Sequence, residues 1–245
     1  MLLFCKKTSK NKNGFSLVEL SIVIVVISLI VSGVLVGQDL VKKSRLQAVV
    51  GDIKKIKYAV DSFTDYYGQL PGDLSKASFY WGSSCVSTGV CNGDGNGIWT
   101  LNTEGYRAWN HMNLAGMFPN TLSGLAGSYS QIGVNVYQSK FPKAGYEFGV
   151  QSGRSNVMAI FAHRGSLDGS LAGPIFTPKQ AEYIDMKMDD GWVNTGIIYG
   201  TNGTNPAAPA NCHDLSKSHG YNVASESVNC GIYVYGFGSW NGNDN

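Results

Sequence analysis

Between Phe15 and Gly37 the only ionisable side chain is that of Glu19, and the run from Leu20 to Val36 is almost wholly Ile, Val and Leu. A carboxylate in an apolar span costs on the order of 2.5–3.5 kcal/mol at a bilayer centre and less near an interface, so it calls for a partner. The chemistry on offer is electrostatic pairing rather than catalysis. The cation that fits is a free α-amino group, which a cut between Gly14 and Phe15 would create. The plainer alternative is a glutamate that snorkels to the headgroups.

A second constellation is Asn92-Gly93-Asp94-Gly95-Asn96-Gly97-Ile98. Oxygen donors at alternate positions with a glycine at the turn match the first seven positions of a calcium loop, with Asn92, Asp94 and Asn96 as candidate ligands. The pattern then departs. Thr103 stands where a bidentate glutamate belongs, Glu104 falls one residue late, and the first ligand is a neutral asparagine. An ordinary Asn/Gly turn is the competing reading and the favoured one, so no cofactor is required.

The cysteines are Cys5, Cys85, Cys91, Cys212 and Cys230. Cys5 precedes residue 14, and the other four form an even set in a region expected outside the cytoplasm, where disulfides persist. Four cysteines allow three pairings. Short local loops favour Cys85 with Cys91 and Cys212 with Cys230, and the other two pairings stay open. A zinc site from Cys212, His213, His219 and Cys230 has no standard spacing. His111 is expected on the flank of a helix, and neither it nor His163 has a neighbouring nucleophile or carboxylate pattern. The glycines of Gly124-Leu125-Ala126-Gly127 lack the strand and helix context of a phosphate loop. No enzymatic activity is expected.

The elements that must position these residues begin with a helix. At 1.5 Å per residue the 23 residues 15–37 span roughly 35 Å, enough for a hydrocarbon core of about 30 Å. Lys6, Lys7, Lys10 and Lys12 precede the span and no further lysine occurs until Lys42, which places the leader in the cytoplasm and the remainder outside. A cleaved secretory signal is the rival. The apolar run is longer than an h-region of about 7–15 residues, and no small-x-small site with a polar start follows it. Beyond the span Leu46, Val49, Val50, Ile53, Ile56, Val60, Phe63 and Tyr67 recur at intervals of three or four, an apolar stripe between charged residues. The helix is therefore predicted to continue to about Tyr67 and to stop at Gly68, with Pro71 close behind.

Glycine (31) and tyrosine (13) are abundant and charged residues make up only 15%, which fits a turn-rich, strand-rich body. Strands are predicted at Val134–Tyr137, Tyr146–Val150, Val157–Ala162, Gly196–Tyr199 and Ile232–Tyr235. Helices are predicted at Glu104–Leu114 and Thr177–Met188, the latter opening on a capping box. The fold class is α+β: a long N-terminal helix packed on an antiparallel β-sheet head. The expected division is a leader at 1–14, the helix at 15–67 with its membrane or filament part at 15–37, and the head at 68–245. The net charge is +2 and becomes about −2 once the four leader lysines are removed, which does not favour nucleic acid as a partner.

The string Lys12-Asn13-Gly14-Phe15-Ser16-Leu17-Val18-Glu19-Leu20, with the apolar run behind it, resembles the processing site of type IV prepilins and type II secretion pseudopilins. The resemblance implies that a prepilin peptidase cuts after Gly14 and methylates Phe15. It assigns Glu19 to subunit registry against a neighbour's terminal amine. It implies a chain held in the bacterial inner membrane with its head outside the cytoplasm, then moved by an assembly platform into a periplasmic or extracellular filament of this and other pilins. Tyr67-Gly68-Gln69-Leu70-Pro71-Gly72-Asp73 and Lys187-Met188-Asp189-Asp190-Gly191 look similar to segments of larger minor-pilin heads. Many members of the family carry a proline within the membrane half of the helix. This sequence has none there, and Gly33 and Gly37 are the candidates for flexibility or close helix approach. A structural subunit, minor or at the tip, is the expected function, with a secretion pseudopilin as the alternative. A membrane-tethered head that binds a surface, sugar or DNA is a third reading, left open by Trp81, Trp99, Trp192 and Trp240.

Overall fold

The computed structural model describes residues 14–85, 91–125, 127, 129–151, 154–163, 171–203, 211–214, 216 and 218–238. Leader residues 1–13, with Cys5, and Trp240 lie outside the described residues. The chain divides into two compact units, Met1–Ser44 and Arg45–Asn245. The second unit begins at Arg45, within the predicted helix.

Helix α1 runs from Leu17 to Tyr67. Within the first unit its described side chains are exposed, including every Ile, Val and Leu of the apolar run. Within the second unit a 3.6-residue period puts Leu46, Val49, Ile53, Ile56, Val60 and Phe63 on one buried face. Each such side chain contributes about 1.5–3 kcal/mol when removed from water. Gly68 ends the helix with φ +73 and its N–H bonded to the Thr64 carbonyl, a left-handed position that glycine occupies without a Cβ penalty.

The remaining elements are α2 (Ala77–Trp81), α3 (Glu104–Leu114), β1 (Tyr137–Gln138), β2 (Ala144–Gln151), β3 (Arg154–His163), β4 (Leu171–Gly173), α4 (Pro178–Met188), β5 (Ile198–Asn202) and β6 (Cys230–Val234). The strands form one antiparallel sheet in the order β1-β2-β3-β6-β5, with β4 paired to the end of β3. The architecture is α+β, with the long helix and antiparallel sheet expected from the sequence. Of the predicted strand at 134–137 only Tyr137 lies in a strand, β1, while the other four predicted strands appear with shifted ends. Short α2 and β4 carry no periodic signal and were not anticipated.

Strand alternation divides the sheet into two faces. Tyr146, Phe148, Met158, Ile160, Ile232 and Val234 share the main core with α1. Ala159, Phe161 and Tyr233 face the other way and join Tyr106 of α3 and Val136 in a smaller cluster. The capping box of α4 is present: the Thr177 hydroxyl accepts from Gln180 N, and Gln180 Oε1 accepts from Thr177 N.

Candidate functional site

Gly14 and Phe15 precede α1 in an exposed segment, and the Phe15 ring is 85% exposed. Ser16 sits just before the first helical residue. Its hydroxyl accepts from Val18 N at 3.3 Å, and Glu19 Oε2 accepts from Ser16 N at 2.9 Å. That reciprocal arrangement satisfies two of the orphan amides of a helix start, and the Glu19 charge lies at the positive end of the helix dipole. This local role of Glu19 stands beside the intermolecular one expected from the sequence, and Ser-x-x-Glu before an apolar run is its signature. The helix that follows is long and apolar enough to cross a membrane.

In the head, the predicted calcium ligands turn their oxygens to amide groups. Asn92 Oδ1 accepts from Ser78 N at 2.8 Å, Asp94 Oδ1 from Asn96 N at 3.0 Å, and Asn96 Oδ1 from Ile98 N at 2.7 Å. What organises the loop is Asp73, which the spacing of 92–104 did not reveal. Its Oδ1 accepts from Gly95 N at 2.7 Å and Asn96 N at 3.2 Å, and its Oδ2 from Gly97 N at 2.8 Å. Glu104 takes Asp94 N and Thr100 N. Asp73, Asp94 and Glu104 offer carboxylate oxygens within 4.8 Å of one another. Burial pushes the Asp73 carboxyl up to about 6; the Gly97 and Gly95 amides oppose the shift and Glu104 adds to it. Arg107 faces these acids and donates to the Asn92 carbonyl at 2.7 Å and the Gly72 carbonyl at 3.2 Å. Gly72 is required where it stands, because a Cβ there would collide with the Glu104 carbonyl oxygen.

His111 lies on α3, as expected, with its side chain buried in the core. Its Nδ1 accepts from Gly72 N at 2.9 Å and its Nε2 meets the Cys91 carbonyl at 3.0 Å. Burial lowers its pKa to about 4, so the ring is a neutral clamp. Cys85 is joined to Cys91 and Cys212 to Cys230, which removes both cysteines from the zinc set. His213 pairs in a bridge with Tyr221, and His219 lies 3.5 Å from Glu182. His163 ends β3. A further buried carboxylate, Asp185, accepts from Tyr221 Oη at 2.8 Å and from Gly191 N at 2.9 Å.

Of the four tryptophans singled out, Trp99 is fully buried and donates from Nε1 to the Pro71 carbonyl at 2.7 Å. Trp81 is half-buried and Trp192 exposed. The described residues bring together no nucleophile, base and oxyanion donors in an open cleft. They offer an exposed apolar helix with a capped, acidic start, and a head braced by disulfides and buried acids.

Residues 9–35 match the family model of the prokaryotic N-terminal methylation motif, the prepilin-type cleavage and methylation signature. No curated protein and no solved structure matches the chain.

Proposed function

We propose that this chain, which its N-terminal motif marks as type IV pilin-like or pseudopilin-like, is a structural subunit of a pilus-like filament. A prepilin peptidase cuts after Gly14 and methylates the Phe15 amine. The apolar half of α1 holds the subunit in the inner membrane until the assembly platform draws it into a bundle of such helices. Moving from lipid to bundle gains little from the hydrophobic effect, so packing and pairing carry the step. Glu19 sets the stagger by meeting a neighbour's amine. The observation that supports this reading most directly is the placement of Gly14, Phe15 and Glu19 at the start of the exposed, apolar first half of α1. Two disulfides and a large head favour a minor or tip subunit over a secretion pseudopilin.

The test is the mass of the mature N-terminus, followed by electron microscopy of cells lacking the chain. A chain beginning at N-methyl-Phe15, with altered pili in the mutant, is the expected result. A purified protein that retains its lysine-rich start would overturn the reading. Intact pili with defective secretion would favour the pseudopilin alternative.

A further inference from the structure

Two side chains from the segment between Cys212 and Cys230 reach onto α4, and each meets an acid there. Tyr221, whose ring is fully buried, donates from Oη to Asp185 at 2.8 Å. His219 Nδ1 lies 3.5 Å from Glu182 Oε1, and the pair is ionic only when the imidazole is protonated. Two further contacts seat the same turn: Val193 N donates to the His219 carbonyl at 2.9 Å, and the Trp192 ring meets His219 edge-on at 5.2 Å. His219 holds a φ of +58, a left-handed conformation uncommon outside glycine. The turn is also tied to itself. His213 bridges to Tyr221, Asp214 N donates to the Gly220 carbonyl at 2.7 Å, and Asn222 N donates to the Cys212 carbonyl at 3.0 Å. With the Cys212–Cys230 bridge at its base, it forms one unit against α4.

Asp185 is completely buried, and the charges that bear on it are acids. Besides the Tyr221 hydroxyl it accepts from Gly191 N at 2.9 Å. Asp189 gives its Oδ2 to the amides of Ile197 and Ile198, and Asp190 gives its oxygens to Trp192 N and the Thr195 hydroxyl. Lys187 of α4 turns to the Tyr183 ring, 5.7 Å away. A buried carboxylate without a counter-charge favours its neutral form. Burial pushes the Asp185 carboxyl up to about 7; the Tyr221 hydroxyl and the Gly191 amide oppose the rise, and Asp190 and Asp189 add to it.

We propose that these contacts form a proton-operated clasp, which holds the disulfide-closed turn at 219–221 on α4 while Asp185 is neutral and His219 is charged, and loosens it as both protons leave. Opening exposes Asp185 to water, where its carboxyl ionises at the ordinary value of 3.8. The closed form binds the proton more tightly, so the clasp is at full strength below about pH 4, weakens as the pH rises, and levels off above about 7. Loss of the His219–Glu182 ion pair acts in the same direction and more weakly, because that pair is partly exposed. The same closed segment carries exposed Val223 and Val228, so opening alters an apolar part of the head's surface. The clasp uses neither the leader nor Glu19 and does not rest on the filament reading.

The experiment is hydrogen exchange on the full mature chain in detergent from pH 5 to 8, with each rate divided by the intrinsic exchange rate at that pH. The amides of Gly191 and Val193 report the clasp, since their acceptors are Asp185 and His219. Their protection is expected to fall at least about tenfold between pH 5 and 7.5, and to stay below that of β2 and β3 throughout, the mark of a local opening. Asp185→Asn removes the pH dependence. Glu182→Gln lowers the protection about two- to fivefold at pH 5 and leaves it unchanged at pH 8. Tyr221→Phe removes a donor that favours the ionised acid, so it moves the midpoint to higher pH, and it decides the matter should the Asn variant not fold. The proposal is overturned if the Gly191 and Val193 amides show no pH dependence, if they exchange only as fast as those of β2 and β3, if Asp185→Asn keeps the parent's profile, if Glu182→Gln acts equally at both pH values, or if Tyr221→Phe leaves the midpoint in place.

Discussion

The carboxylate of Glu19 accepts the backbone N–H of Ser16 at 2.9 Å within its own chain. The group proposed to meet a neighbour's amine is therefore already employed as a helix cap, and on that proposal joining a filament would exchange one donor for another. The two roles separate by mutation. Glu19→Ala is expected to permit insertion and cleavage but to block incorporation. Glu19→Gln keeps the cap and loses the charge, so it should block incorporation too, whereas Ser16→Ala loses the capping hydroxyl, costing about 1 kcal/mol locally, and should assemble. Immunoblots of membrane and sheared-filament fractions give the readout. Normal filaments from Glu19→Gln would remove the charge from the mechanism.

The Cys212–Cys230 bridge closes a separation of 18 residues and Cys85–Cys91 one of 6. On chain-entropy grounds the longer loop contributes about 3 kcal/mol and the shorter about 2 kcal/mol. Paired Cys→Ser replacement at 212 and 230 should lower the melting temperature more than replacement at 85 and 91, as thermal denaturation would show.

Three buried groups tie stability to pH in opposite directions. Burial raises Asp185 from 3.8 to about 7, and Asp73 to about 6. Each binds its proton more tightly when folded, so its contribution is full below about pH 4 and is lost as the pH rises through its folded value. His111 falls from 6.5 to about 4, so its contribution is full above 6.5 and is lost as the pH falls through 4. Urea titrations should show Asp185→Asn flattening the decline in stability toward pH 7, and His111→Asn flattening the decline on the acid side.

Lys57 donates to the Gly236 carbonyl at 2.7 Å, pairs with Asp61 at 3.3 Å and lies over the Phe237 ring at 5.3 Å. Its truncation in Lys57→Ala is expected to cost roughly 1–2 kcal/mol, mostly from the hydrogen bond, since the ion pair is largely exposed. Chemical denaturation measures it, and Asp61→Ala should cost less.

Calcium or EDTA is expected to leave the melting temperature of the full chain unchanged, because the oxygens of Asn92, Asp94 and Asn96 already accept amide protons. A rise with calcium that Asp73→Asn abolishes would instead assign a cation to Asp73, Asp94 and Glu104.

Most of the helical architecture was legible in the chain. The 3.6-residue stripe from Leu46 to Phe63 predicts the buried face of α1, and Thr177-Pro178-x-Gln180 predicts the start of α4, because both signals are local. Strand ends shifted because pairing with a distant neighbour, such as Ile198 with Val234, sets where a strand stops. The Ser16–Glu19 cap is local as well, and Ser-x-x-Glu before an apolar run signals it.

The sequence by itself determined the anchoring end of this protein. Lysines before residue 14, Gly14-Phe15, one acid and a long run of Ile, Val and Leu depend only on composition and order, which is all that the N-terminal methylation motif and an apolar span require. Tertiary structure alone decided the head: that Asp73 rather than Glu104 is the centre of the 92–97 loop, that His111 is a buried clamp, and that Tyr221 closes on Asp185. Those relations join residues far apart in the chain, and only the packing that brings them together fixes which side chains meet and which are left facing water.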